Sequence, residues 1–152
     1  AWGQSQWARH NVVASDEILI INRFIAEKRT LEVGAGSGRV TQLLAEKAKS
    51  IAATDYVSNV VDILKKNMGN RNLEFIIQDD ITASNLTTNS FEVVAFFENG
   101  LGNLIDPIAR HKAIGEMIRL TIPGGRILLG LRSLGEKSAD HLMPASMAPI
   151  FL

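Results

Sequence analysis

Apolar positions along this chain alternate between short compact runs and stripes at helical spacing. Ile18, Ile21 and Ile25 repeat at the three-to-four-residue step of one helix face, behind Ser15 in an N-cap position and Asp16 and Glu17 in the first turn. They predict a helix ending near Lys28. Leu31 and Val33 end a buried strand, and Val40, Leu43, Leu44 and Ala48 mark a second helix running to about Lys49. Ile51 to Thr54 form a short strand that stops at Asp55. A helix over 59–67 leads into the turn-rich MGNRN, and a third strand spans Leu73 to Gln78. Phe91 to Phe97 is almost continuously apolar, as a strand covered on both faces requires, and is the expected central strand. Asp106 before Pro107 starts another helix, with Ile108, Ile114, Met117 and Ile118 as its expected buried stripe. Ile122 to Gly125 read as a turn into a fifth strand, RILLGLR. Strands alternating with helices predict an α/β domain with a parallel sheet.

With 152 residues, 46% of them apolar, the chain suits one domain with a sizeable core. Sixteen basic residues balance sixteen acidic ones, so no overall charge draws the chain to nucleic acid or to an anionic membrane. The absence of cysteine removes disulfides, thiolate nucleophiles and Cys-based zinc sites, and three scattered histidines make no metal-spaced cluster; no metal is expected. No apolar run approaches the ~20 residues that cross a bilayer, and no leader pattern opens the chain, so a cytoplasmic protein is expected.

The most informative stretch is LEVGAGSGRVT, residues 31 to 41. Gly34, Gly36 and Gly38 sit between a strand and a helix, where glycine allows positive φ and close ligand approach, and where backbone N–H groups are expected to face a ligand. The spacing is G-x-G-x-G, and not the G-x-G-x-x-G of a dinucleotide pyrophosphate loop. Glu32, two residues before the first glycine, would repel a pyrophosphate but favour an ammonium, so a partly cationic ligand is expected. Asp55 lies 21 residues after Gly34, close to the separation at which a second parallel strand presents a carboxylate to a ribose diol.

The E-V-G-A-G-S-G stretch resembles motif I, (D/E)-x-G-x-G-x-G, of the class I S-adenosylmethionine-dependent methyltransferases. The resemblance runs over roughly residues 15 to 133 and includes Asp55, the acid pair Asp79 and Asp80 after strand three, and the Pro-Gly-Gly feature before strand five. It implies a doubly wound, mostly parallel Rossmann-like sheet with helices on both faces, its C-terminal strands missing or incomplete in this chain. The implied cofactor is S-adenosylmethionine, with S-adenosylhomocysteine as product. The implied cofactor residues are Glu32 for the methionyl amine, Gly34, Ala35, Gly36 and Gly38 for close approach, and Asp55 and Tyr56 at the ribose and adenine. Asp80 followed by Ile81 is assigned to the adenine edge in preference to Asp79. Glu98 and Asn99, after the central strand, are the candidate catalytic or acceptor-facing residues.

Residues 1–14, with Trp2, Trp7 and His10, are a candidate cover over the cofactor; 15–133 form the expected core and 134–152 an unassigned tail. Val57 and Ser58 depart from the family's commoner D-x-S-P, and Thr121 and Ile122 from its usual Leu-Lys. ENGLGNL replaces the signature of enzymes that methylate adenine or glutamine nitrogens, which disfavours those substrates. His111 is expected at the surface. The expected function is methyl transfer to a small-molecule acceptor. The alternative is a non-catalytic S-adenosylmethionine- or nucleoside-binding domain serving as a sensor or partner subunit. An NAD-dependent reductase is disfavoured by the glycine spacing and Glu32.

Overall fold

The computed structural model describes residue 13, residues 15–71 and residues 73–131. The elements run α1 (Ser15–Phe24), β1 (Arg29–Val33), α2 (Thr41–Lys47), β2 (Ser50–Asp55), α3 (Ser58–Met68), β3 (Phe75–Gln78), β4 (Phe91–Phe96), α4 (Gly100–Asn103), α5 (Pro107–Leu120) and β5 (Thr121–Leu129). The five strands make one sheet in the order β3-β2-β1-β4-β5, and every pairing is parallel. Chain direction reverses its lateral progress between β3 and β4, so the carboxyl ends of β1 and β4 flank a topological switch point.

Strand alternation sends Leu31, Val33, Ala52, Val94 and Phe96 to one face, against Ala113, Met117 and Leu120 of α5. Val93, Ala95 and Ile51 face the other way, onto Ile21 and Ile25 at α1 and Val40 and Leu44 at α2. Leu64 and Met68 of α3 pack with Ala53 on that same side. Helices therefore cover both faces, as the double-wound pattern requires.

Three sequence expectations change. On α5, Ala113, Met117 and Leu120 are the buried positions, whereas Ile108 and Ile118 are 66% and 55% exposed. Those three are the positions of α5 that meet the sheet, and Ile114 packs partly buried against the same cluster. On α1, Ile18 is partly exposed while Glu17 is buried, so a charge occupies a core-facing position of that helix. Ile122 to Gly125 are part of β5: Phe91 pairs with Thr121 and Val93 with Arg126, so the Pro-Gly-Gly segment is a bulge in a continuous strand. Asp106 does cap α5, accepting from the Ile108 amide at 3.0 Å with Pro107 in the first turn. His111 is exposed, as expected. Trp2, Trp7 and His10 lie outside the described residues, as does the segment from position 132 onward.

Candidate functional site

The carboxyl ends of β3, β2, β1 and β4 carry, in that spatial order, Asp79 and Asp80, Asp55 and Tyr56, the glycine loop, and Glu98 and Asn99. The site residues expected from the sequence thus share one edge of the sheet. Spanning from β3 to β4 takes three strand spacings of ~4.8 Å, or roughly 14 Å.

Glu32 lies between Ala53 of β2 and Ala95 of β4, and these two small neighbours leave room for its carboxylate inside the sheet–helix layer. It is 2% exposed, and its Oε2 has no hydrogen-bond partner. Burial raises its pKa to about 8, against the opposing pull of Thr41 and of the Arg39 guanidinium, while the neighbouring Glu98 and Glu17 add to the rise. Glu32 is therefore mostly protonated at neutral pH in the free protein.

Arg39, directly after the glycines, is the one cation in this group among the described residues. Its two terminal nitrogens meet Glu17 of α1 at 2.7 and 2.8 Å, and its Nε lies 2.7 Å from Oε1 of Glu98. Burial works against the Arg39 charge, but hydrogen bonding to Glu17 and the fields of Glu98, Glu17 and Glu32 outweigh it and raise its pKa. Three carboxylates thus face one guanidinium. Neither Glu17 nor Arg39 was singled out as a site residue by sequence reasoning. The signal was a carboxylate at a position of α1 that the apolar stripe of Ile21 and Ile25 places inside.

The glycine loop differs from expectation in one respect. The Ala35 amide donates to Thr54 O, the Gly36 amide to Asp55 Oδ2 and the Gly38 amide to Ala35 O, at 3.0, 2.9 and 3.1 Å. These N–H groups are spent within the protein, so they do not form an anion cradle. The loop instead brings backbone close to ligand space: Gly36 has φ +58°, and a Cβ there would meet nothing within 4 Å. An edge rich in carboxylates with these three amides satisfied suits a cation far better than a pyrophosphate.

Asp55 is held by two N–H donors, Gly36 to Oδ2 and Val57 to Oδ1 at 3.0 Å. Each carboxylate oxygen retains acceptor capacity beyond one bond. Tyr56 is 67% exposed, with its backbone carbonyl accepting from Gln78 Nε2. Asp80 is exposed, and its Oδ1 accepts from the Thr82 amide and hydroxyl at 2.9 and 2.8 Å. Ile81 is buried in the core beside α5, which leaves its backbone as the part available to a ligand. Asp79 points elsewhere: Oδ1 accepts from Asn85 N at 3.3 Å, and Oδ2 is buried without a partner. Glu98 and Asn99 both adopt left-handed backbone conformations, φ 52° and 59°, a strain of the order of 1 kcal/mol per residue that Glu27 and Asn89 also carry elsewhere in the chain.

Comparison with known proteins accords with this arrangement. Residues 31–129 match the family model described as a methyltransferase domain. The chain belongs to that family. Over 115 residues it is 31% identical to phosphoethanolamine N-methyltransferase 1 of Triticum aestivum, covering 74% of this chain and 23% of that protein. It is 34% identical over 67 residues to ribosomal RNA small subunit methyltransferase A of Mesomycoplasma hyopneumoniae, covering 44% of this chain and 26% of the relative. A TehB-like SAM-dependent methyltransferase from Corynebacterium glutamicum superposes with a TM-score of 0.69 at 19% identity, over 86% of this chain and 68% of that one. The chain thus spans about a quarter of the length of the two curated relatives named here.

Proposed function

We propose that this domain binds S-adenosylmethionine along the carboxyl edge of the sheet and transfers its methyl group to a small-molecule acceptor. The observation that carries the cofactor reading is the buried Glu32 carboxylate, with an unpartnered oxygen and three acids around a single guanidinium. With Glu32 ionised, the two buried acids Glu17 and Glu32 exceed the Arg39 guanidinium by one charge, which the methionyl ammonium balances, while Glu98 is exposed to water. A pyrophosphate would add charge of the wrong sign to a loop in which the Ala35, Gly36 and Gly38 amides are already used.

The roughly 14 Å between β3 and β4 matches an extended nucleoside joined to an amino acid. In this reading the backbone at Asp80 and Ile81 reads the adenine edge and Tyr56 lies on the base. Asp55 accepts from the ribose hydroxyls, Gly36 admits the ligand to the backbone, and Glu32 holds the ammonium. The sulfonium brings an already activated methyl group, so the chain's work is alignment and the exclusion of water. Effective positioning supplies ~7–11 kcal/mol of such a barrier. Glu98 and Asn99, at the β4 end, face the acceptor and orient it along the transfer line. Arg39 neutralises part of the acidic cluster, so that a single ammonium completes it without leaving excess charge buried.

A small-molecule acceptor is favoured by the chain's overall charge balance, which offers no general attraction to nucleic acid. Titration calorimetry with S-adenosylhomocysteine and with NADH, followed by a methyl-transfer screen over small amines, hydroxyl compounds and ribosomal RNA, tests the proposal. Micromolar binding of S-adenosylhomocysteine with turnover on a small acceptor is expected. NADH binding in its place would overturn the cofactor reading. Turnover on ribosomal RNA alone would overturn the acceptor, and binding without any turnover would favour a sensor or partner subunit.

A further inference from the structure

Glu17 is a buried acid on a helix that otherwise packs through Ile21, and a buried ion pair contributes little net stability over a well-packed apolar pair. Its value has to be sought in what it positions. The partner, Arg39, is planar and rigid, with donors on two edges. One edge grips Glu17 with both terminal nitrogens, and the other presents Nε to Glu98 Oε1 at 2.7 Å. Glu98 in turn belongs to a two-residue left-handed turn that costs free energy and needs something to hold it.

We infer that Arg39 is a positioning residue that couples the docking of helix α1 to the conformation of the Glu98–Asn99 turn at the acceptor end of the site. A guanidinium clamped at one edge has little rotational freedom at the other. Glu17 therefore fixes where Arg39 places its charge, and the ion pair at Nε holds the Glu98 carboxylate there. Movement of α1 away from the sheet frees Arg39 to follow Glu17 or Glu98 but not both, so the turn loses its anchor. The helix that covers one side of the site thereby sets the shape of the acceptor mouth.

The functional meaning of the mouth rests on the proposed methyl transfer, while the coupling itself does not require it. Amide hydrogen exchange, read peptide by peptide on the full chain, tests it with Glu17→Gln, Arg39→Lys and Glu98→Gln. In Glu17→Gln, peptides covering residues 97–103 should exchange at least tenfold faster, although residue 17 lies on a different element, while those of β1 and β2 stay within twofold of the wild type. Arg39→Lys keeps the charge but offers a single point of contact, and should fall between the two. Glu98→Gln, at an exposed residue whose loss leaves the Glu17 pair intact, should loosen the turn without loosening α1. Unchanged exchange at 97–103 in Glu17→Gln and Glu98→Gln would overturn the coupling, as would a uniform acceleration over the whole sheet. S-adenosylhomocysteine binding by the wild type, measured in parallel, keeps this outcome apart from failure of the cofactor reading.

Discussion

The Gly36 amide donates to Oδ2 of Asp55 across 2.9 Å, so the loop that follows β1 and the acid that ends β2 form one unit. Asp55 thereby shapes the glycine loop, and in the proposed site it also offers acceptors to the ribose. Asp55→Ala removes both, and loss of a hydrogen bond to a charged group is worth ~1.5–3 kcal/mol. S-adenosylhomocysteine affinity should fall roughly 10- to 100-fold by that figure, whereas Asp79→Ala should change it less than threefold. Equal losses in the two variants, read by calorimetry, would remove Asp55 from the proposed ribose site.

Glu32 should trade stability for binding. Its folded pKa of about 8 lies above the ordinary value of 4.5, so the unfolded chain releases this proton first as pH rises. Native stability from this residue is intact below about pH 4.5, declines between about 4.5 and 8, and is level above that range. Glu32→Gln abolishes the penalty and should stabilise the domain near pH 7, with an upper bound on the order of 3 kcal/mol. The same variant should bind S-adenosylhomocysteine at least tenfold more weakly. Urea unfolding at pH 5 and pH 7 checks the first half: an unchanged difference between variant and wild type at the two pH values contradicts the buried, protonated acid.

Cofactor binding should release a proton. An ammonium beside Glu32 favours the ionised form, and at pH 7 a group titrating near 8 gives up ~0.9 of a proton on full ionisation. Affinity should then rise up to about tenfold per pH unit between 6 and 7 and level off above about 8. Calorimetry in buffers of different ionisation enthalpy measures the proton directly. 5′-Methylthioadenosine, which lacks the amino acid, should bind without this release, and an identical release for both ligands would place the proton elsewhere.

Two glycines of the loop should respond differently. At Gly36 an alanine Cβ meets open space and only the positive φ opposes it, a cost of ~1–2 kcal/mol. At Gly38, with φ +96°, the added Cβ would lie 2.8 Å from Leu64 Cδ1, so packing against α3 must also shift. Gly38→Ala should therefore be the more destabilising in denaturant, and Gly36→Ala the more damaging to S-adenosylhomocysteine binding relative to its stability. The reverse ranking would mean that Gly36 does not border the ligand.

Local pattern was enough to read the strand-and-helix order, the doubly covered β4 and the Asp106 cap of α5, because periodicity and capping act over a few residues. The middle strand of the described sheet is β1 and not the expected β4, since strand order is set by pairing between distant segments. The resemblance carried by E-V-G-A-G-S-G, Asp55 and the Asp79–Asp80 pair led to the methyltransferase family in the same way, since spacing along parallel strands translates directly into position along one sheet edge. Residues whose environment comes from distant elements were not legible. Ile108 and Ile118 looked buried by spacing but lie outside, because the face of α5 that meets the sheet is the one carrying Ala113, Met117 and Leu120, which only packing against distant strands selects. The Pro-Gly-Gly turn became a bulge because β4 supplies a partner on both sides of it.

The chain's own pattern therefore determined the strand-and-helix architecture, and the resemblance its motifs carry led to the family and to the proposed site edge. Tertiary structure alone decided that three loop amides are spent on Thr54, Asp55 and Ala35, that Glu32 is enclosed with its Oε2 unpartnered, and that Arg39 joins Glu17 to Glu98. The physical reason is range. Helix and strand signals are set by neighbours in sequence, whereas a buried charge takes its pKa and its partners from groups that only the folded sheet brings within a few ångströms.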